Sequence, residues 1–349
     1  MPSPTTGTTG ETSLTTEDFT GHPEVINCLN QLDEAFSKSN RPFIISDVYD
    51  DDGNQYVNLV QKGGGVLGIA LVGYTYILEK MGIRFIRLAG TSAGAINTAL
   101  MTVIGEKQDS KSIQILKAIC DLNFFNLVDG HPAARSVIKN FITHQDFNAK
   151  VSRWFKVIFA IGLILMACDF ITLGLQYKFQ WIAVVAKISF VFTGLYFLLI
   201  GFLAFYSARL FRRLKNAGFG INPGNFFYDW IKQLLIKNGV VKVSDLNRKA
   251  STLPKLYLRA ENPETLDTLK GDVTFIASEL VTQNKIQFPA MCNLFREESK
   301  IDTLQPAGFI RASMAIPVFF ESYFINNIPN TSAEVKKAWM DTFNEPNPP

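Results

Sequence analysis

The sequence predicts an α/β fold with a mostly parallel sheet, into which a two-helix transmembrane hairpin is inserted. Three observations predict it. Between Tyr56 and Ile104, apolar strands alternate with periodic helices over short connections, the pattern of parallel strands covered by helices. Ile188 to Tyr206 is a run of 19 residues without a charge, and Val157 to Leu175 is interrupted only by Asp169. From Asn225 onward the helix and strand patterns resume, so the hairpin interrupts one domain.

Met1 to Glu17 is rich in Thr, Ser, Gly and Pro and has no apolar core, so residues 1–18 read as a disordered leader. Residues 19–55 hold an amphipathic helix over 24–38, a strand from Phe43 to Val48 and a turn at Asp50-Asp51-Asp52-Gly53. The α/β domain begins at 56 and its first part runs to 150. Tyr56–Gln61 and Ile83–Ala89 read as strands, Val66–Lys80 and Ala93–Ile104 as helices. Residues 151–215 hold the hairpin. The second part, 216–349, carries a helix over Asn225–Lys237, strands at 255–260 and 272–277, and a helix at 306–314.

Composition narrows the class. With 47% hydrophobic and 19% charged residues, the chain is too apolar for an ordinary soluble enzyme and too charged for a pure transporter. A net charge of +3 leaves no nucleic-acid footprint. Cys28, Cys120, Cys168 and Cys292 lie far apart, without metal-ligand spacing, so neither a disulfide framework nor a zinc site is expected. No metal and no cofactor is called for.

The hairpin tip, Gln176 to Gln180, carries only Lys178. Arg153 and Lys156 precede the first apolar stretch, and Arg209, Arg212, Arg213 and Lys215 follow the second. That bias puts both ends, and the α/β domain, on the cytoplasmic side, with Trp154, Tyr206, Tyr177 and Trp181 as interface anchors. Asp169 and Lys187 each stand nine residues from Lys178, which predicts equal depth and mutual pairing. A buried hairpin of a soluble core is the alternative.

The chemistry rests on two glycine motifs. Gly90-Thr91-Ser92-Ala93-Gly94 follows a strand and opens a helix. A G-x-S-x-G elbow of this kind pushes its serine out at the carboxyl edge of the sheet, which marks Ser92 as nucleophile and Gly90 and Gly94 as the residues that permit the turn. Gly63-Gly64-Gly65-Val66-Leu67-Gly68 also lies between strand and helix. A phosphate loop would need Lys-Ser or Lys-Thr where Ile69 and Ala70 stand. A dinucleotide fingerprint would need an acid near Arg87-Leu88-Ala89, where none occurs. The remaining use is an oxyanion hole built from Gly63, Gly64, Gly65 and Gly68 and facing the elbow.

With these two motifs and a late Arg311-Ala312-Ser313-Met314-Ala315-Ile316-Pro317-Val318-Phe319-Phe320 block, the chain resembles the patatin-like phospholipases, of a bacterial type with an inserted transmembrane hairpin. The resemblance spans about Tyr56 to Tyr323. It implies a three-layer α/β/α domain and a Ser–Asp dyad acting on phospholipid or another acyl lipid. The expected activity is that of a membrane-anchored phospholipase A or lysophospholipase. A catalytically inactive lipid-binding relative, or an acyltransferase of the same fold, is the alternative. Two features depart from the family pattern. Leu67 stands where Arg or Lys is usual, and no Asp-Gly-Gly or Asp-Gly-Ala follows the late block. The reading is therefore of a sequence truncated at its C-terminus. Asp341, the single Asp of that tail, is the candidate that remains for the dyad, and Asp129-Gly130 lies too early. The three histidines, His22, His131 and His144, do not follow the Ser…Asp…His order of a triad, which agrees with a dyad.

Overall fold

The computed structural model describes residues 14–38, 43–64, 68–130, 147–179, 181–216, 220–260, 264–346 and 348. In chain order its elements begin with α1 (Thr16–Thr20), α2 (Pro23–Lys38), β1 (Val48–Asp50), β2 (Gln55–Gln61), α3 (Gly68–Lys80), β3 (Ile83–Thr91), α4 (Ala93–Val103) and α5 (Ser112–Cys120). The long pair α6 (Phe147–Leu175) and α7 (Ile182–Asn216) follows, with β4 (Gly220–Asn222), α8 (Asn225–Lys237) and α9 (Val243–Ser251). The last are β5 (Leu256–Leu258), β6 (Glu264–Thr265), β7 (Asp272–Ser278), β8 (Lys285–Phe288), α10 (Pro306–Ser313), β9 (Val318–Phe320) and α11 (Ala333–Phe343). Contacts divide the chain into two units. One is Met1–Leu127, Gly224–Ile316 and Ser322–Pro349; the other is Val128–Pro223 with Pro317–Glu321.

The first unit is an α/β domain around a seven-stranded sheet, ordered β6-β5-β1-β2-β3-β7-β8. Its centre, β2-β3-β7, is parallel, and antiparallel strands extend it on both sides. Strand β3 therefore lies between two parallel neighbours, and its carboxyl end opens at the same edge as theirs. Helix α4 leaves that edge and is the most enclosed helix of the unit, with ten of its eleven residues buried. Its sequence explains the fit: Ala, Gly, Asn and Thr are small enough for close backbone approach, while Leu100 and Met101 fill the core. Phe288 stacks on Phe309 at 4.4 Å between ring centroids, which ties β8 to α10.

Two expectations for the N-terminal region change. Residues 43–46 are not strand; the strand is Val48–Asp50. The side chain of Gln55 claims that backbone, accepting hydrogen bonds from the Ile45 and Ser46 amides at 2.7 and 3.0 Å and donating to the Phe43 carbonyl. A backbone already paired to a side chain has no groups left for a ladder. Helix α1 also begins inside the stretch read as leader, because Thr15 and Asp18 cap it reciprocally.

In the second unit, α6 and α7 are antiparallel. The Tyr196 hydroxyl donates to the Ile158 carbonyl at 2.7 Å, and the Ser189 hydroxyl donates to Asp169. Gly162 makes room for the Tyr196 ring. The predicted pairing of Asp169 with Lys187 does not form: Lys187 is exposed and has no ion pair among the described residues. Residues two apart on a helix point to different sides, so Ser189 meets the carboxylate and Lys187 cannot. The apolar spans, Ser152–Leu175 and Ile182–Leu210, are longer than the uncharged runs alone. Only 11% and 6% of their most apolar stretches are buried, against the expectation for a hairpin inside a soluble core. Short parallel strands β4 and β9 complete this unit, tied by the buried Asn222, whose amide donates to the Phe319 carbonyl at 2.9 Å.

Candidate active site

Strand β3 ends at Thr91, and Ser92 turns the chain into α4 with φ 53° and ψ −125°. A side chain with positive φ is strained, and such a residue persists only where its surroundings over-determine it. Here they do. The Ser92 amide donates to Ser313 Oγ at 2.9 Å, and Ser313 Oγ donates to the Ile276 carbonyl of β7 at 2.6 Å. The elbow is thus tied through one hydroxyl to the neighbouring parallel strand. The half-buried Ser92 hydroxyl itself faces Met314 Sδ at 3.5 Å.

The glycines of the two motifs explain how loop and elbow come together. A Cβ on Gly63 would lie 2.6 Å from Ser92 Cβ and 3.2 Å from its Oγ. One on Gly68 would meet Ala93 Cβ at 2.6 Å. One on Gly90 would collide with the Gly94 carbonyl, and one on Gly94 with the Gln61 carbonyl at the end of β2. Close approach, rather than a turn, demands glycine at these positions. The buried Gln61 adds a polar tie, its Oε1 accepting from Asn97 Nδ2 of α4 at 3.1 Å. Ser92 therefore sits at the N-terminus of a buried helix, where unpaired amides and the helix dipole create positive potential. Gly63 lies against it, and the exposed Gly64 follows.

The structure thus brings Ser92, Gly63, Gly68, Gly90 and Gly94 together. Gly65 and Leu67 lie outside the described residues, as do His131 and His144. Asp341 is exposed on α11, whose buried side is Val335 and Trp339, and it makes no hydrogen bond to Ser92. Among the described residues no carboxylate hydrogen-bonds to Ser92. His22 is exposed ahead of α2. Sequence reasoning assigned no role to Ser313, Met314 or Gln61. The late block that contains Ser313 and Met314 was the available signal, but a contact 221 residues away in the chain leaves no local trace.

A family model for patatin-like phospholipase matches residues 59–342, most of the chain. The chain belongs to the patatin-like phospholipase family. That assigns it to a group of lipid acyl hydrolases. A curated protein of Bacillus subtilis (strain 168), named "Uncharacterized protein YqhO", is 51% identical over 61 residues. That match covers 18% of this patatin-like chain and 20% of the relative, so the chain spans about a fifth of the length of the curated protein it matches. No solved structure matches.

Proposed function

We propose that the protein is a membrane-anchored lipid acyl hydrolase of the phospholipase A or lysophospholipase type, with Ser92 as nucleophile. The observation that carries the reading is the strained Ser92 backbone, locked between β3 and α4 beside Gly63. Ser92 Oγ attacks the acyl carbonyl carbon and gives its proton to a carboxylate base. Backbone amides of the Gly63–Gly68 loop and of the α4 N-terminus stabilise the oxyanion. Collapse of the tetrahedral intermediate breaks the ester bond, and the departing alcohol takes the proton. Water then attacks the acyl-enzyme and releases a fatty acid; an alcohol in its place would make the same site an acyltransferase.

Helices α6 and α7 supply the anchor in this reading. Their apolar spans are long enough to cross hydrocarbon, and the basic residues at their outer ends favour a cytoplasmic catalytic domain. The substrate does not diffuse freely in water, so a tether keeps the enzyme where its ester is.

The full chain in phospholipid vesicles should release fatty acid and should be labelled at Ser92 by a fluorophosphonate. Ser92→Ala should remove the label and lower release by about a thousandfold or more. Full activity in Ser92→Ala would overturn the assignment. That no carboxylate among the described residues hydrogen-bonds to Ser92 favours one second reading, a patatin-like protein that binds lipid without turnover. Lipid binding without labelling or release would establish it.

A further inference from the structure

Strands β2, β3 and β7 run parallel, so the chain that follows β7 emerges at the same sheet edge as Ser92. The register is close: Thr91 pairs with Ile276, and β7 ends two residues later at Ser278. There the chain turns through Glu279-Leu280-Val281-Thr282-Gln283-Asn284 into the antiparallel β8. Leu280 and Val281 stand at the tip of that hairpin, 66% and 73% exposed.

The exposure is built in. The Glu279 carboxylate accepts from the Val281 amide at 2.7 Å and from the amide and hydroxyl of Thr282 at 2.6 and 2.5 Å. The Glu279 amide donates to the Asn284 carbonyl, and Gln283 adopts a φ of 61°, which closes the turn. A loop secured by this many hydrogen bonds presents two branched apolar side chains to solvent in a set conformation. Its acid faces its own backbone. On the other side of β3, Val60 near the end of β2 is 79% exposed. Lys62 and Lys285, the cations next to Val60 and the tip, are exposed as well. Exposed apolar groups with a lysine nearby thus stand on both neighbours of β3, Val60 level with Ala89 and the Leu280–Val281 tip beyond the level of Thr91.

We propose that the Glu279–Asn284 turn is a membrane-contact element, in which Leu280 and Val281 enter the bilayer interface beside the Ser92 site. Its partner is a phospholipid surface. Two apolar side chains find favourable transfer there, and exposed lysines find phosphate oxygens. The same chain carries two membrane-length apolar helices, which puts a bilayer within its reach. The proposal deepens the acyl hydrolase reading and rests on it for its catalytic consequence: the tip would dock the site onto packed lipid, while a single soluble ester would need no docking.

The test uses the full chain reconstituted in phosphatidylcholine vesicles. The double variant Leu280→Asp/Val281→Asp should release fatty acid from the vesicles about tenfold more slowly. Its hydrolysis of water-soluble p-nitrophenyl butyrate should match that of the unaltered protein. Equal losses on both substrates would mean that the turn only supports the site, and unchanged rates on both would mean that it meets no lipid; either overturns the proposal. A second readout needs no turnover. Val281→Trp should show more quenching by brominated lipid than the unaltered chain, whose own tryptophans set the baseline. No added quenching overturns the proposal, whereas added quenching in a protein that hydrolyses neither substrate supports lipid contact and removes only the hydrolase reading.

Discussion

Helix α4 and the pair α6/α7 are both apolar, yet one is sealed inside the α/β unit and the others keep most of their surface uncovered. Residue size separates them. In α4, Gly94, Ala95, Ala99 and Thr98 let β2, β3 and β7 approach the helix backbone, and only a few large side chains are needed to fill the gaps. In α6 and α7, Phe, Leu and Ile point outward along the whole length, as in Phe170, Phe192, Leu198 and Phe205. Small residues suit a rigid protein partner that can meet them atom by atom, and large ones suit a fluid apolar solvent. Mean hydropathy does not distinguish the two cases.

Substitutions can break this contrast, beginning with the most damaging. Gly94→Val drives a branched side chain into the Gln61 carbonyl, separating elbow from glycine loop. It should abolish labelling at Ser92 and lower stability by about 3 kcal/mol or more in denaturant melts of the detergent-solubilised chain. Leu100→Ala, at a fully buried position in α4, should cost about 2–5 kcal/mol in the same melts. Leu198→Ala, in the uncovered α7, should change stability by no more than about 0.5 kcal/mol in detergent. Equal effects at Leu100 and Leu198 would mean that the hairpin packs against protein after all.

The far end of the same α/β unit adds a pH dependence. Lys111 and Lys107 are buried, with their ammonium groups on the Met101 and Ile86 carbonyls at 2.8 Å. Burial pushes Lys111 down to about 7 and Lys107 to about 8, from an ordinary value of 10.5. In that window the unfolded chain holds protons that the folded chain has shed, so stability should rise from neutral pH to about pH 10. Lys111→Met should flatten the rise, as urea midpoints across this range would show. A smaller effect is expected in the hairpin. Ser189→Ala removes one hydrogen bond to Asp169 and should cost about 0.6 kcal/mol, measured as a shift in helix-pair unfolding in detergent.

Much of the site was legible locally. The Gly90–Gly94 elbow and the Gly63–Gly68 loop each announce themselves through residues adjacent in the chain, because a tight turn or a close approach restricts the residue at the turn itself. The helix expected at Asn225–Lys237 has those bounds, and the one expected at 306–314 ends one residue earlier, at Ser313. The strand expected at Phe43 failed because its competitor, Gln55, acts through a side chain ten residues away. The Asp169–Lys187 pairing failed because equal depth along two helices says nothing about which faces meet.

By itself, then, the sequence determined that a strand–turn–helix would present Ser92, that glycines would line its approach, and that two helices would be apolar over a membrane's thickness. These are properties of neighbouring residues and of periodicity. Only the tertiary structure decided that Ser313 ties the elbow to β7, that α4 is buried while α6 and α7 are not, and that Leu280 and Val281 project at the sheet edge where Ser92 lies. Each depends on strands and helices distant in the chain being placed side by side, and packing, not local preference, selects those partners.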